Sequence, residues 1–442
     1  VVEIPAQRRS ESERVVDLDH AATTRLRPEA LAAMEPFLTD RYGNPSGAHA
    51  TARDAVRALD EAREQVAEHL GCAPGEVVFT SGGTEADVHA VSGGLPPRSG
   101  VPICPSTEHH AVLATVDALG GTVLSVDRAG RIDLDDLRTR LARLRTAAAE
   151  ETGPGPSVVS VMLANNELGT INDLDAVADV LADVAPGVPL HTDAVQAAPW
   201  LDVRERAAAA DMVSISAHKF GGPRGSGVLV VRDRVDIAPL LHGGGQERGR
   251  RSGTVDVAGA VGLAAALAVT VADRRATAER VAGLRNDLLS RITAAPFAVR
   301  STLGATGWPP PSGDDPDEVL PNFAHVLVAD VDPEPLMFLL DAAGVRASSA
   351  SSCSSGALRP SHVLSAIAAA GAGVEGAALR LTLGPETTAD DVDHAVAALQ
   401  AVIGRLRHHR SNPVVPGVAP DGSVPAVPTA GGTAVASGAG HS

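Results

Sequence analysis

Ser214-Ile215-Ser216-Ala217-His218-Lys219-Phe220-Gly221-Gly222 contains the only lysine of this 442-residue chain. Lysine and arginine total 37, so the other 36 are arginine. A surface that needs only positive charge can use either residue. An amine that must shed its proton and attack a carbonyl cannot be an arginine, whose guanidinium stays charged. Lys219 therefore points to a Schiff-base nucleophile, the usual anchor of pyridoxal phosphate (PLP). The competing reading is an arginine-rich protein that kept one surface lysine, and the surrounding motifs decide between the two.

The run 212–216 before that lysine is one of several short apolar runs. Others fall at 76–80, 101–104, 122–126, 157–163, 189–193 and 227–231. They alternate with helical stretches at 52–70, 134–146 and 174–184. In the first of these, Val56, Leu59, Ala62, Val66 and Leu70 recur at helical spacing before Gly71 and Pro74. This alternation predicts an α/β fold with a mostly parallel, seven-stranded sheet covered on both faces. A proline-rich loop, Trp308-Pro309-Pro310-Pro311-Ser312-Gly313, interrupts the pattern. Beyond it, strands expected at 323–331, 345–347 and 379–383 and helices at 335–343, 360–370 and 389–408 predict a smaller α+β domain. The expected organisation is a flexible arm over 1–14, a large domain over 15–275 and a small domain over 276–410. The start of the large segment is expected to pack with the small domain. Residues 411–442, almost uncharged and aperiodic, read as a disordered tail.

The net charge of −17 argues against a nucleic-acid or anionic-membrane surface. Cys72, Cys104 and Cys353 are too few and scattered for a disulfide framework, so a cytoplasmic setting is expected. Residues 1–14 are polar and charged, so no signal peptide is expected there. The most apolar window, 255–272, contains Asp256 and reads as a buried helix rather than a membrane span.

Four further stretches carry chemistry. Thr80-Ser81-Gly82-Gly83-Thr84-Glu85 follows a strand and opens a helix, so Gly83 and Thr84 belong to a possible anion cradle; an ordinary capped turn is the alternative. Asp193, in His191-Thr192-Asp193-Ala194-Val195-Gln196, ends a strand and could keep a pyridine nitrogen protonated, with Gln196 beside the ring hydroxyl. His109, in Thr107-Glu108-His109-His110, could stack on such a ring and move protons; no metal site is expected from the spacing. Cys353, in Ala350-Ser351-Ser352-Cys353-Ser354-Ser355-Gly356, is surrounded by small residues that suit an exposed, reactive thiol. Arg380 interrupts an apolar strand, where a substrate carboxylate and a structural salt bridge are both open readings.

Taken together, these motifs resemble the cysteine desulfurases, in the class V aminotransferase group of PLP enzymes of fold type I. The resemblance runs from about 16 to about 408. It includes Leu18-Asp19-His20-Ala21-Ala22-Thr23-Thr24, Gly43-Asn44-Pro45-Ser46, Asn165-Asn166-Glu167-Leu168-Gly169, His242-Gly243-Gly244-Gly245-Gln246-Glu247-Arg248 and Arg251-Ser252-Gly253-Thr254. Cys353 followed by Leu358-Arg359-Pro360-Ser361-His362 is similar to the long-loop branch.

The resemblance implies L-cysteine as substrate, PLP bound through Lys219, Asp193 at the ring nitrogen and Asn166 and Gln196 near the ring hydroxyl. It places Thr84, Ser216 and His218 on the phosphate and His109 on the ring face. Arg380 would bind the substrate carboxylate, with Asn166 beside it, and Cys353 would accept the sulfur. Thr254 would reach the phosphate of a neighbouring subunit, which implies a homodimer with shared sites. A protein sulfur acceptor is also implied, for iron–sulfur cluster assembly, tRNA thiolation or other thio-biosynthesis. A selenocysteine lyase, another β-lyase, an aminotransferase and a non-catalytic scaffold subunit are the alternatives. Two stretches depart from the family pattern: Val88-His89, and Ser349-Ala350-Ser351-Ser352 before Cys353, where relatives often carry a glycine.

Overall fold

Short runs of β-branched and aliphatic residues form most of the strands, in a computed structural model that describes residues 14–93, 100–294, 297–303, 319–349 and 361–411. Cys353, the proline-rich loop around 308–313, nearly all of the arm and the tail from 412 lie outside the described residues. In chain order the strands are β1 (Val16–Asp17), β2 (Val77–Thr80), β3 (Val101–Pro105), β4 (Thr122–Leu124), β5 (Pro156–Ser160) and β6 (Leu190–Asp193). They continue as β7 (Met212–Ser216), β8 (Gly227–Val231), β9 (Val299–Ser301), β10 (Phe323–Val328), β11 (Val345–Arg346) and β12 (Ala377–Thr382).

Seven strands make one sheet in the order β2-β8-β7-β6-β5-β3-β4. Only β8 runs against the rest, pairing antiparallel with both β2 and β7. Every residue of β7 and β8 is buried, as expected for strands covered on both faces. Their side chains alternate between two cores. Val213, Ile215, Val228 and Val230 enter the larger one, while Met212, Leu229 and Val231 meet Ala86 and Ala90 of the helix Gly83–Gly93.

The expected strand 157–163 ends its regular ladder at Ser160. Beyond it the backbone still follows β6 through single bonds, from Val161 N–H to His191 O at 2.9 Å and from Leu163 N–H to Asp193 O at 2.9 Å. The smaller sheet is antiparallel, β12-β10-β9. β1 pairs in parallel with β11, which brings the N-terminal segment onto this half.

One helix, Val257–Thr293, ties the halves together. It packs on the helices Pro28–Leu38 and Ala50–Leu70 and also reaches β9, β10 and the helix Ala389–Ser411. It runs unbroken across 275/276, so the expected domain boundary falls within a single helix. Asp256, the acid in the apolar window, is its N-cap and accepts a hydrogen bond from Gly259 N–H at 2.9 Å. Among the described residues it is the one helix long and apolar enough to cross a membrane. However, Ala260, Leu263, Ala264, Ala266 and Leu267 are all buried within the protein, the environment of a core helix.

Candidate active site

Five strands running the same way bring their carboxyl ends to one cavity of about 320 Å³. Gly83 and Thr84 line it after β2, His109 after β3, Met162 and Asn166 after β5, Gln196 after β6, and His218 and Lys219 after β7. Asp193 and Ser216 are the last residues of β6 and β7 and also line it. Asp19, Ala21 and Ala22 close it from the N-terminal segment, and Arg380 enters from β12. All the sequence-predicted site residues line it except Thr254, which is exposed, and Cys353, which lies outside the described residues.

The turn after β2 depends on glycine. Gly82 has φ of 143°, where a side chain is strained. A Cβ on Gly83 would lie 2.9 Å from Val195 Cγ2. At the start of the following helix, N–H groups and the helix dipole favour an anion. Glu85 in this first turn would oppose one, but both of its oxygens are engaged by Arg251, at 2.8 and 3.1 Å. His218 Nδ1 lies 3.1 Å from Thr23 Oγ1. Burial, helped by the charge of Lys219, pushes its imidazole down to about 4, so the ring is neutral near pH 7.

In the same cavity, Asp193 is buried and its Oδ1 accepts from Val195 N–H at 2.8 Å. Burial raises its carboxyl above the usual range, and His109 and Lys219 pull it back. His109 caps the helix His110–Ala118, with its Nδ1 accepting from Ala111 N–H at 3.2 Å. The neutral ring therefore carries its proton on Nε2. Glu108 fixes the approach to this cap: its carboxyl oxygens accept from Met162 N–H at 2.5 Å and from His109 N–H at 3.2 Å. Burial, with Asp193 nearby, raises the group well above the usual carboxylate range.

Lys219 Nζ donates to the carbonyls of Ala21 at 2.6 Å and Ala22 at 3.0 Å. Ala21 O also accepts from Gln196 Nε2 at 2.8 Å. The segment 18–24 is thus a structural wall for the amine, a role its motif did not disclose. Asn165 shapes the next wall: its Oδ1 accepts from Glu167 and Leu168 N–H at 2.9 Å each, and its Nδ2 donates to Thr107 O at 2.9 Å. Arg380 donates through Nη1 to Asn166 O at 2.7 Å and through Nη2 to Asp19 Oδ1 at 2.8 Å.

Three buried atoms of this site have no partner among the described residues, Asp87 Oδ1, Asn166 Oδ1 and Arg380 Nε. Such atoms are costly unless a ligand meets them. An anion turn, a buried carboxyl group and an amine on one cavity suit a phosphorylated pyridine aldehyde. The sequence reading missed Asp19, Met162 and Asp87 as cavity residues. Asp19 alone carried a signal, inside the motif 18–24. Asp87, His109 and Asp193 bring one ring nitrogen and two carboxyl oxygens within 4.8 Å of one another, a grouping a metal ion could also span.

Known proteins share this arrangement of the chain. The family described as aminotransferase class-V matches residues 16–395. A cysteine desulfurase, IscS, from Dictyoglomus turgidum is 37% identical over 402 residues, covering 89% of this chain and 96% of that protein. A cysteine desulfurase from Cereibacter sphaeroides is 40% identical over 403 residues, with 89% and 96% covered. The chain belongs to the cysteine desulfurase family. Among solved structures, a NifS-like protein is 30% identical with a TM-score of 0.76, covering 89% of this chain and 100% of that one. A structure described as SspA in complex with cysteine is 30% identical with a TM-score of 0.64, covering 84% and 100%.

The departure at Val88-His89 leaves the cavity of this cysteine desulfurase intact. His89 is fully buried, with its Nε2 3.0 Å from Ala238 O, and its imidazole is lowered by burial. The other departure, before Cys353, falls almost wholly outside the described residues.

Proposed function

We propose that this member of the cysteine desulfurase family takes sulfur from L-cysteine, releases L-alanine and leaves a persulfide on Cys353 for a protein sulfur acceptor. The observation that carries the reading is the convergence of Lys219, Asp193 and the Gly83–Thr84 turn on one cavity. Lys219 would hold PLP, Asp193 its ring nitrogen, Asn166 and Gln196 its hydroxyl side, and His109 its face. Thr84, Ser216 and His218 would hold the phosphate, with Gly83 keeping space for it. PLP, when bound, supplies an electron sink conjugated to the substrate Cα.

The chain's own residues do the rest. Arg380 binds the substrate carboxylate, and its unmatched Nε supports that role. The Lys219 amine, held beside the carbonyls of Ala21 and Ala22, takes the proton from Cα and later returns one. His109 Nε2 exchanges protons near the substrate sulfur. The Cys353 thiolate attacks that sulfur, so an S–S bond forms as the substrate C–S bond breaks and its electron pair stays with carbon. Protonation of that carbon completes alanine. Cys72 and Cys104 are poor candidates for this attack, because burial pushes the Cys72 thiol up to about 12 and raises that of Cys104 further.

A homodimer is part of the proposal. Thr254 is exposed and does not line its own cavity, which suits a residue that completes the phosphate site of a second copy. A reducing cytoplasmic setting suits the Cys353 thiol. The test is alanine release from L-cysteine, with PLP supplied, by wild type and Lys219→Ala. Wild-type turnover and a loss of at least roughly 10²-fold in the variant are expected. Equal alanine release by the two proteins would sink the reading.

A further inference from the structure

Asp87 lies one turn beyond Thr84 on the helix Gly83–Gly93 and is 1% exposed. Small residues on the same helix, Ala86 and Ala90, are fully buried, which lets the helix approach the sheet closely. Asp87 there faces Asp193 and His191 of β6, Ser214 of β7, and Glu108 and His109 after β3. On its own helix, Glu85 is taken by Arg251 and His89 turns to Ala238.

Among the described residues, no cation other than a histidine forms an ion pair with Asp87. His191 Nε2 lies 3.7 Å from Asp87 Oδ1, but burial drives that imidazole down to about 3, so it is neutral. His191 instead links two hydroxyls, Ser160 Oγ at 2.8 Å from Nδ1 and Ser214 Oγ at 2.9 Å from Nε2. Ser214 in turn hydrogen-bonds the Asp87 carboxyl, while Asp87 Oδ1 has no partner among the described residues. Asp193 is better placed to carry charge, with Val195 N–H donating to it and His109 and Lys219 nearby.

We propose that Asp87 and Asp193 form one buried acid pair holding a single proton, kept on Asp87, so that the pair meets the ring nitrogen of PLP with one net negative charge. Two carboxyl groups this close in a dry site cannot both ionise. Burial raises Asp87 well above the usual carboxylate range, Asp193 and then Glu108 raise it further, and the Ser214 bond only partly offsets them. Asp87 is thus a positioning residue that acts through Asp193. The inference rests on the reading of Asp193 as the partner of the ring nitrogen.

The test has two arms. In PLP-free protein near neutral pH, infrared spectra of wild type minus Asp87→Asn should show the loss of one protonated carboxyl band, with circular dichroism confirming that both are folded. In PLP titrations, Asp87→Ala should weaken affinity about tenfold, and Asp87→Asn, which mimics the protonated acid, should restore it to within about threefold of wild type. The absence of that band difference overturns the pair, and so does an Asp87→Asn variant as weak as Asp87→Ala. If Asp193→Asn leaves PLP affinity unchanged, the ring-nitrogen reading fails and Asp87's role toward PLP with it, while the infrared arm still decides the pair.

Discussion

Arg380, on β12, is joined to Asp19, in the segment after β1, by an ion pair of 2.8 Å that spans 361 residues of sequence. The same guanidinium holds Asn166 O, so one side chain ties the smaller sheet, the N-terminal segment and the loop after β5 to the cavity. Arg380→Lys keeps the charge but loses the planar fork. It should lower kcat/KM for L-cysteine by about ten- to a hundredfold, the loss of a charge-assisted hydrogen bond. Asp19→Asn should lower it less, since Arg380 keeps its bond to Asn166. Steady-state kinetics of both variants would check the order.

Glu167 gives a pH dependence of stability. It is buried, and burial pushes its carboxyl up to about 7, against the hydrogen bond from Ser361 Oγ and the charge of Arg380. Because the folded value lies above the unfolded one, the contribution is fully present below about pH 4.5 and is lost as pH rises through about 7. The loss is roughly 3 kcal/mol. Glu167→Gln should remove it, so the variant should gain stability relative to wild type as pH increases from 4.5 to 7. Denaturant melts of both proteins at several pH values measure this directly.

Arg63 and Glu247 form a buried pair that fixes the segment leading to Thr254. Arg63 bonds both Glu247 oxygens, at 2.9 and 2.7 Å, and Phe79 N–H donates to the same carboxylate at 2.9 Å. Glu247 and Arg248 are both held at positive φ, 50° and 57°, so the segment needs this anchor. Arg63→Met leaves the carboxylate buried without its cation and should cost about 3–5 kcal/mol of stability. The double variant Arg63→Met, Glu247→Leu should recover part of that loss in the same unfolding assay.

Gly83→Ala tests the anion turn. The added methyl group would press on Val195 Cγ2 and also lie 3.5 Å from Ser216 Cβ. Overpacking of this kind costs about 1–3 kcal/mol. PLP titration should therefore show weaker binding by roughly tenfold or more, with secondary structure unchanged by circular dichroism.

Most of the larger sheet was legible because its strands are short apolar runs set between helical or turn stretches. The residues 212–216 and 227–231 became strands with those bounds, and 174–184 became a helix. β1 and β9, of two and three residues, were not expected as strands. The helix opened by the Gly83 turn was expected, whereas His110–Ala118 was hidden behind a motif read as a loop. Lys219, Asp193 and His109 stood out by residue type and local context, and all three line the cavity. Asp87 did not stand out, because its significance arises from Asp193 and Ser214, more than a hundred residues away in sequence. For Arg380 the sequence left two readings open, and the fold contains elements of both: an ion pair to Asp19 and an unmatched buried Nε.

In the proposed reaction sulfur leaves L-cysteine for Cys353 in a PLP site built on Lys219. Its most direct test is mass spectrometry of the Cys353 peptide after the PLP-loaded protein meets L-cysteine, with and without reductant. A gain of one sulfur on Cys353 is expected, removed by reductant and absent from Lys219→Ala. Alanine release at the wild-type rate with no sulfur on that peptide, or from a Cys353→Ser variant, would contradict it.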